Sequence, residues 1–175
     1  MNSNYYKMGI LCGVLISIIL AVIILRLTKK DRSIKCKYDE RQQAVRGKGF
    51  KYGFFTLMFY DLAYGLIDEI IGRKYFENSV GMLVGIFLGI LVYACYCIWH
   101  DGYFSLNENP KGVLIAFAII AISNFVIFAV NFTNGTVVEN GILTIRCTNL
   151  LCGIMFVIIF GVLLMKAVCN KKETE

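Results

Sequence analysis

VGMLVGIFLGILVYACYCIW, from Val80 to Trp99, is a run of twenty residues with no charge and no proline. About 20 apolar residues in an α-helix cross a hydrocarbon core ~30 Å thick. Backbone groups in lipid must be paired inside their own segment, so the run predicts a spanning helix rather than a strand. Gly81, Gly85 and Gly89 recur at intervals of four and share one helical face. Lipid gives helices no hydrophobic reason to associate, so small residues that let backbones approach mark the contacts. The stripe therefore predicts a helix seam, either within one chain or between two copies.

Four further apolar blocks flank this one, at about residues 8–27, 50–71, 112–130 and 148–168. The first carries Gly9 and Gly13, with Ser17 and Ala21, at the same interval of four. No small-x-small cleavage site follows it; Arg26, Lys29 and Lys30 do, so it reads as an uncleaved anchor. Apolar residues make up 58% of the chain and charged ones 17%. Soluble domains average ~45–50% and ~25%. The expected fold is an all-α, polytopic transmembrane helix bundle of five spans. Residues 1–175 form one membrane domain, with a basic loop at 28–49.

Orientation follows from lysine and arginine, which favour the cytoplasmic side. Ten of the eighteen basic residues lie between Arg26 and Lys51. Placing that stretch inside sends the N-terminus out and the C-terminus into the cytoplasm. The tally is then fourteen basic residues inside against four outside. The second block is the weak point, because it contains Asp61. If it lay on the surface, four spans would remain.

The basic loop runs into that block as YDERQQAVRGKGFKYGFF, Tyr38 to Phe55. Asp39 with Gln42 three residues on predicts a capping box. Glu40 sits in the first turn, where the helix dipole favours an anion. Gly47 and Gly49 predict a bend near the water–lipid boundary. Phe50, Tyr52, Phe54 and Phe55 suit an interfacial aromatic belt. Two roles fit the segment. It anchors the chain to anionic headgroups, or it docks a cytosolic partner through Asp39, Glu40, Arg41, Gln43, Arg46 and Lys48. Direct contact with nucleic acid is not expected, since the membrane surface accounts for the charge and no DNA-binding module is recognisable.

Asp61 falls near mid-bilayer. A carboxylate there costs at least ~2.5–3.5 kcal/mol on insertion scales and usually faces protein. Asn124, at mid-depth of the fourth span, is the expected hydrogen-bond partner. A proton or cation relay and a plain polar seam remain as alternatives. His100 and Asp101 are read as an interfacial cap rather than a dyad, because neighbouring helix residues do not face each other. Cys95 and Cys97 form a lone C-x-C with no second pair, and seven cysteines at irregular spacing are a poor disulfide framework. No phosphate loop, zinc-protease motif or nucleophile elbow occurs. No enzyme activity, cofactor or metal is expected.

Two stretches, DERQQAVRGKGFKYGFF at Asp39–Phe55 and WHDGYFSLN at Trp99–Asn107, resemble a family of small polytopic membrane proteins of Gram-positive bacteria. That family carries a similar D-E-R segment after its first span, and its activity is not established. It favours alanine where this chain has Gly102. Its genes often stand beside those for small helix-turn-helix regulators. The resemblance implies the bacterial cytoplasmic membrane as location and a cytosolic helix-turn-helix regulator as partner. The leading expectation is thus a regulatory or sensory membrane protein. The alternatives are a small transporter, channel or resistance protein using Asp61, and a structural subunit of a membrane complex, including a homo-oligomer.

Overall fold

The computed structural model describes residues 15, 19–20, 22–24, 26–31, 35–72 and 75–172, the last two of these by backbone only. The expected first span, with Gly9 and Gly13, lies largely outside this set; those of its residues that are described are helical. Four long helices follow: α1 (Glu40–Ile71), α2 (Asn78–Trp99), α3 (Pro110–Thr133) and α4 (Thr148–Lys172). The stretches Asn78–Trp99, Pro110–Thr133 and Ile145–Asn170 are each long and apolar enough to cross a membrane. The chain is therefore a helical membrane protein at that level of description.

α1 is the longest helix, with 32 residues, or ~48 Å at 1.5 Å per residue. That exceeds the hydrocarbon thickness by about 18 Å. It is more polar than the others, carrying Lys51 in its first half and Asp61, Asp68 and Glu69 in its second. Its start is the capping box: the Asp39 carboxylate accepts from Gln42 N at 2.6 Å, and the Gln42 side-chain oxygen accepts from Asp39 N at 3.3 Å. It ends at Gly72, whose left-handed φ of 63° closes the last turn on Asp68 O. The bend expected at Gly47 and Gly49 is not needed to break the helix, which runs through both. Gly49 instead gives close approach: a Cβ there would lie 2.9 Å from the Cys97 sulfur.

α1 packs on α2, α2 on α4, and α4 on α3, so the four helices form a row. The α1–α2 seam is made by glycine. A Cβ on Gly53 would lie 2.6 Å from Gly89 O, and one on Gly89 would lie 2.9 Å from Gly53 O. Gly81 faces the Tyr64 ring, and Gly85 faces Asp61 and Tyr60. The whole Gly81–Gly85–Gly89 stripe thus meets a helix of the same chain. Only Gln42, Gly49 and Gly53 are buried on α1, and none is a large apolar side chain. The apolar core lies elsewhere, around Ala94, Ile98, Met155, Ile159 and Leu163 between α2 and α4.

Much of the outer surface is aliphatic, as at Leu62, Ile70, Ile115 and Ile122. Water does not tolerate apolar patches on that scale, whereas lipid does.

A feature not anticipated is a small hairpin between α3 and α4, β1 (Val138–Glu139) with β2 (Ile142–Leu143). Its two-residue turn, Asn140-Gly141, has φ of 52° and 78°. Positive φ at both central residues is what an Asn-Gly turn of type I′ supplies. The α1–α2 connector joins it: Leu143 N donates to Tyr75 O, and Glu77 N to Leu143 O, both at 3.0 Å. The molecule therefore has a hairpin end and, opposite it, a basic end.

Candidate functional site: the basic-end platform

The basic end joins the two stretches that stand out in the sequence, Tyr38–Phe55 and Trp99–Asn107. α2 stops at Trp99. His100 is its C-cap, Asp101 takes φ 56°, and the N–H groups of Asp101 and Gly102 donate to Ile98 O (3.2 Å) and Cys97 O (2.8 Å). This is the Schellman pattern with aspartate in the left-handed position usually held by glycine. Gly102 serves a different need. A Cβ there would lie 2.6 Å from Val45 Cγ1, so glycine lets α1 settle on the loop.

Gln42 makes the main fastening. Its oxygen closes the capping box, while its amide nitrogen donates to Phe104 O at 3.1 Å and Asp101 O at 3.3 Å. Arg41 donates to His100 O at 3.4 Å, and Gln43 to Tyr38 O at 3.2 Å.

Asn107 is a second fastening, buried at 7% exposure. Its side-chain oxygen accepts from Ser105 Oγ at 2.9 Å and Lys37 N at 3.1 Å. Its nitrogen donates to Lys35 O at 2.9 Å and Asp31 Oδ1 at 3.0 Å. Lys30 N reaches Asn107 O at 2.9 Å, Leu106 N reaches Lys37 O at 2.8 Å, and Asn109 N reaches Thr28 O at 2.8 Å. One amide thus ties the segment before α1 to the loop after α2. Net hydrogen bonds are worth ~0.5–1.5 kcal/mol each, but a buried amide stripped of partners costs ~1–3 kcal/mol. The Asp31–Lys37 ion pair at 3.1 Å is partly exposed and adds less than about 1 kcal/mol.

Arg46 is half-buried and reaches from α1 toward α2, at helical spacing with Gln42, Gly49 and Gly53. Its guanidinium lies 4.1 Å from the Tyr38 ring centre and 5.6 Å from that of Tyr93. Burial pushes the Tyr38 phenol above its usual range, opposed by the positive charge of Arg46. Burial raises Tyr103, in the loop after α2, as well. Lys166 of α4 pairs with Asp101 at 3.3 Å and stands 6.0 Å from the Trp99 ring. A hollow of about 300 Å³ opens beside Gln42, Asp101, Phe104 and Lys166.

The expected docking set divides on these contacts. Arg41 and Arg46 have internal uses. Glu40, Gln43, Ala44, Gly47 and Lys48 remain exposed at helical spacing and form one bare face. Asp39 is exposed but occupied in the cap. Sequence reasoning missed Asn107, whose signal was its place at the end of WHDGYFSLN, and Tyr93, which had none.

The other expected sites resolve as follows. His100 Nδ1 bonds to Tyr96 O at 2.9 Å and its ring stacks on Tyr96, while Asp101 pairs with Lys166; the two form no dyad. The expected Asp61–Asn124 hydrogen bond is not made. Asn124 donates to Ile120 O of its own helix at 2.8 Å, and α1 and α3 are not neighbours in the row. Asp61 Oδ1 is buried against α2 with no hydrogen-bond partner among the described residues. Those residues contain no group of His, Cys, Asp or Glu able to hold a metal ion.

Comparison with family models, curated proteins and solved structures finds no match for the chain.

Proposed function

We propose that this chain is a five-span regulatory or sensory protein of the bacterial cytoplasmic membrane whose basic end docks a soluble protein. One observation carries the reading. The first turns of α1 are locked to the loop after α2 by the buried Gln42, and the opposite face (Glu40, Gln43, Ala44, Gly47, Lys48) is left bare. A lipid anchor needs charge alone, not a fixed helix with a polar face. A docking surface gains affinity from being pre-organised, because binding then orders less.

The distribution of lysine and arginine supports a cytoplasmic placement of this end. The resemblance at Asp39–Phe55 and Trp99–Asn107 supplies a partner class, a small helix-turn-helix regulator. The protein in this reading is not an enzyme and contacts nucleic acid only through its partner. A transport role has less support: it places Asp61 and Asn124 on one path, and Asn124 spends its amide on Ile120 of its own helix.

In-cell photocrosslinking from Gln43, followed by mass spectrometry, tests the proposal. A soluble protein in the adduct, lost when Glu40→Lys and Lys48→Glu are combined, is the expected result. Lipid adducts alone would reduce the segment to an anchor and overturn the docking reading.

A further inference from the structure

Below the platform, α1 and α2 leave a groove of about 420 Å³ on their outer side. Its floor is backbone, where Gly53 and Gly89 bring the helices together. Its walls are Phe50, Phe54 and Leu57 from α1 and Ile86 and Ile90 from α2. Phe50 is 70% exposed and Ile90 44% exposed, so the groove opens outward rather than into the bundle. Arg46 and Tyr93 close its upper end.

We propose that this groove binds one anionic glycerophospholipid, its phosphate on Arg46 and an acyl chain along the apolar walls.

Three observations select this occupant. The first is depth. Tyr93 lies six residues before the end of α2 at Trp99, about 9 Å along the helix. That puts the guanidinium near the boundary between headgroups and chains. The second is charge. Arg46 has no ion pair with a carboxylate among the described residues and is held by aromatic rings instead. The rings attract the cation without neutralising it, and guanidinium matches phosphate in a bidentate manner. The third is shape. A narrow slot with a glycine floor and aliphatic walls suits a flexible hydrocarbon chain. Basic pockets between spanning helices on the cytoplasmic side are a recurrent way of holding acidic headgroups.

Native mass spectrometry of the full-length chain in mild detergent tests the proposal, with phosphatidylglycerol and phosphatidylcholine of matched chains as probes. One phosphatidylglycerol per chain is expected, bound about tenfold more tightly than phosphatidylcholine. Arg46→Gln should erase that preference, and Arg46→Lys should restore part of it by keeping the charge without the fork. Ile90→Trp, which fills the slot from its lipid side, should block both lipids, whereas Lys111→Ala should change neither. Equal retention of the two lipids, or a preference that survives Arg46→Gln, overturns the site. So does a protein dimer in place of the lipid adduct, or loss of folding with Ile90→Trp, since either means that a helix fills the groove.

Discussion

Gln42 shows how one side chain can serve two levels of structure. From sequence it is half of a capping box, a local device readable from Asp39 three residues earlier. In the fold the same amide also holds the carbonyls of Asp101 and Phe104, 59 and 62 residues away. Nothing in a single sequence signals that second duty, because the loop that supplies the carbonyls has to be brought there by α2. Gln42→Leu leaves the helix start half capped and two carbonyls short of a donor. The expected cost is about 1–3 kcal/mol in the platform. It should appear as faster amide exchange over Phe104–Leu106 and faster trypsin cleavage at Lys35 and Lys37, with the membrane part unchanged. Unaltered exchange and cleavage would mean that Asn107 alone holds the two segments together.

At the scale of elements, α1 depends on its glycines more than on apolar bulk. The G-x-x-x-G stripe on α2 was legible because small residues at intervals of four have few other uses in a lipid-facing helix. Its partner was not legible. Gly53 on α1 lies among aromatic residues, where it looks like an incidental break in a belt. The hairpin was missed for another reason: Asn140-Gly141 is a strong turn signal, but the flanking strands are two residues each, too short to show alternation. The seam predicts a contrast between two glycines. Gly89→Leu must displace the Gly53 carbonyl, which is backbone and cannot move aside cheaply, so overpacking of about 1–3 kcal/mol is expected. Gly65→Ala meets open space and should be neutral or stabilising by up to about 1 kcal/mol from helix propensity. Melting of both variants in detergent checks this. Equal melting points would mean that α1 is held mainly by the platform contacts at its start.

For the whole molecule, the question with most consequence is which end faces the cytoplasm. The row of helices fixes which residues share an end, and charge then predicts the side. At the basic end the described lysines and arginines include Arg26, Lys29, Lys30, Lys35, Lys37, Arg41, Arg46, Lys48, Lys111 and Lys166, with Asp31, Asp39, Glu40, Asp101 and Glu108 among them; at the hairpin end the described charges are Asp68, Glu69, Glu77, Glu139 and Arg146, and the sequence adds Arg73 and Lys74 to the α1–α2 connector there. Such an asymmetry orients a chain strongly. α1 runs alongside α2 from Gly49 against Cys97 to Tyr64 against Gly81, so the two helices pack along the whole glycine stripe. That contact was not legible in the sequence, where Asp61 made this block the doubtful span. The prediction uses thiols already present. Cys36 and Cys169 are exposed at the basic end. A membrane-impermeant maleimide applied to intact cells should miss both and react once the membrane is opened. In a chain with serine at those two positions, Asn134→Cys at the exposed tip beyond α3 should react from outside without opening. The reverse pattern would remove the docking proposal outright, because the Glu40–Lys48 face would look away from any cytosolic protein. It would leave the lipid groove standing but move it to the outer leaflet, since that site depends on the depth of Arg46 and not on the side it faces.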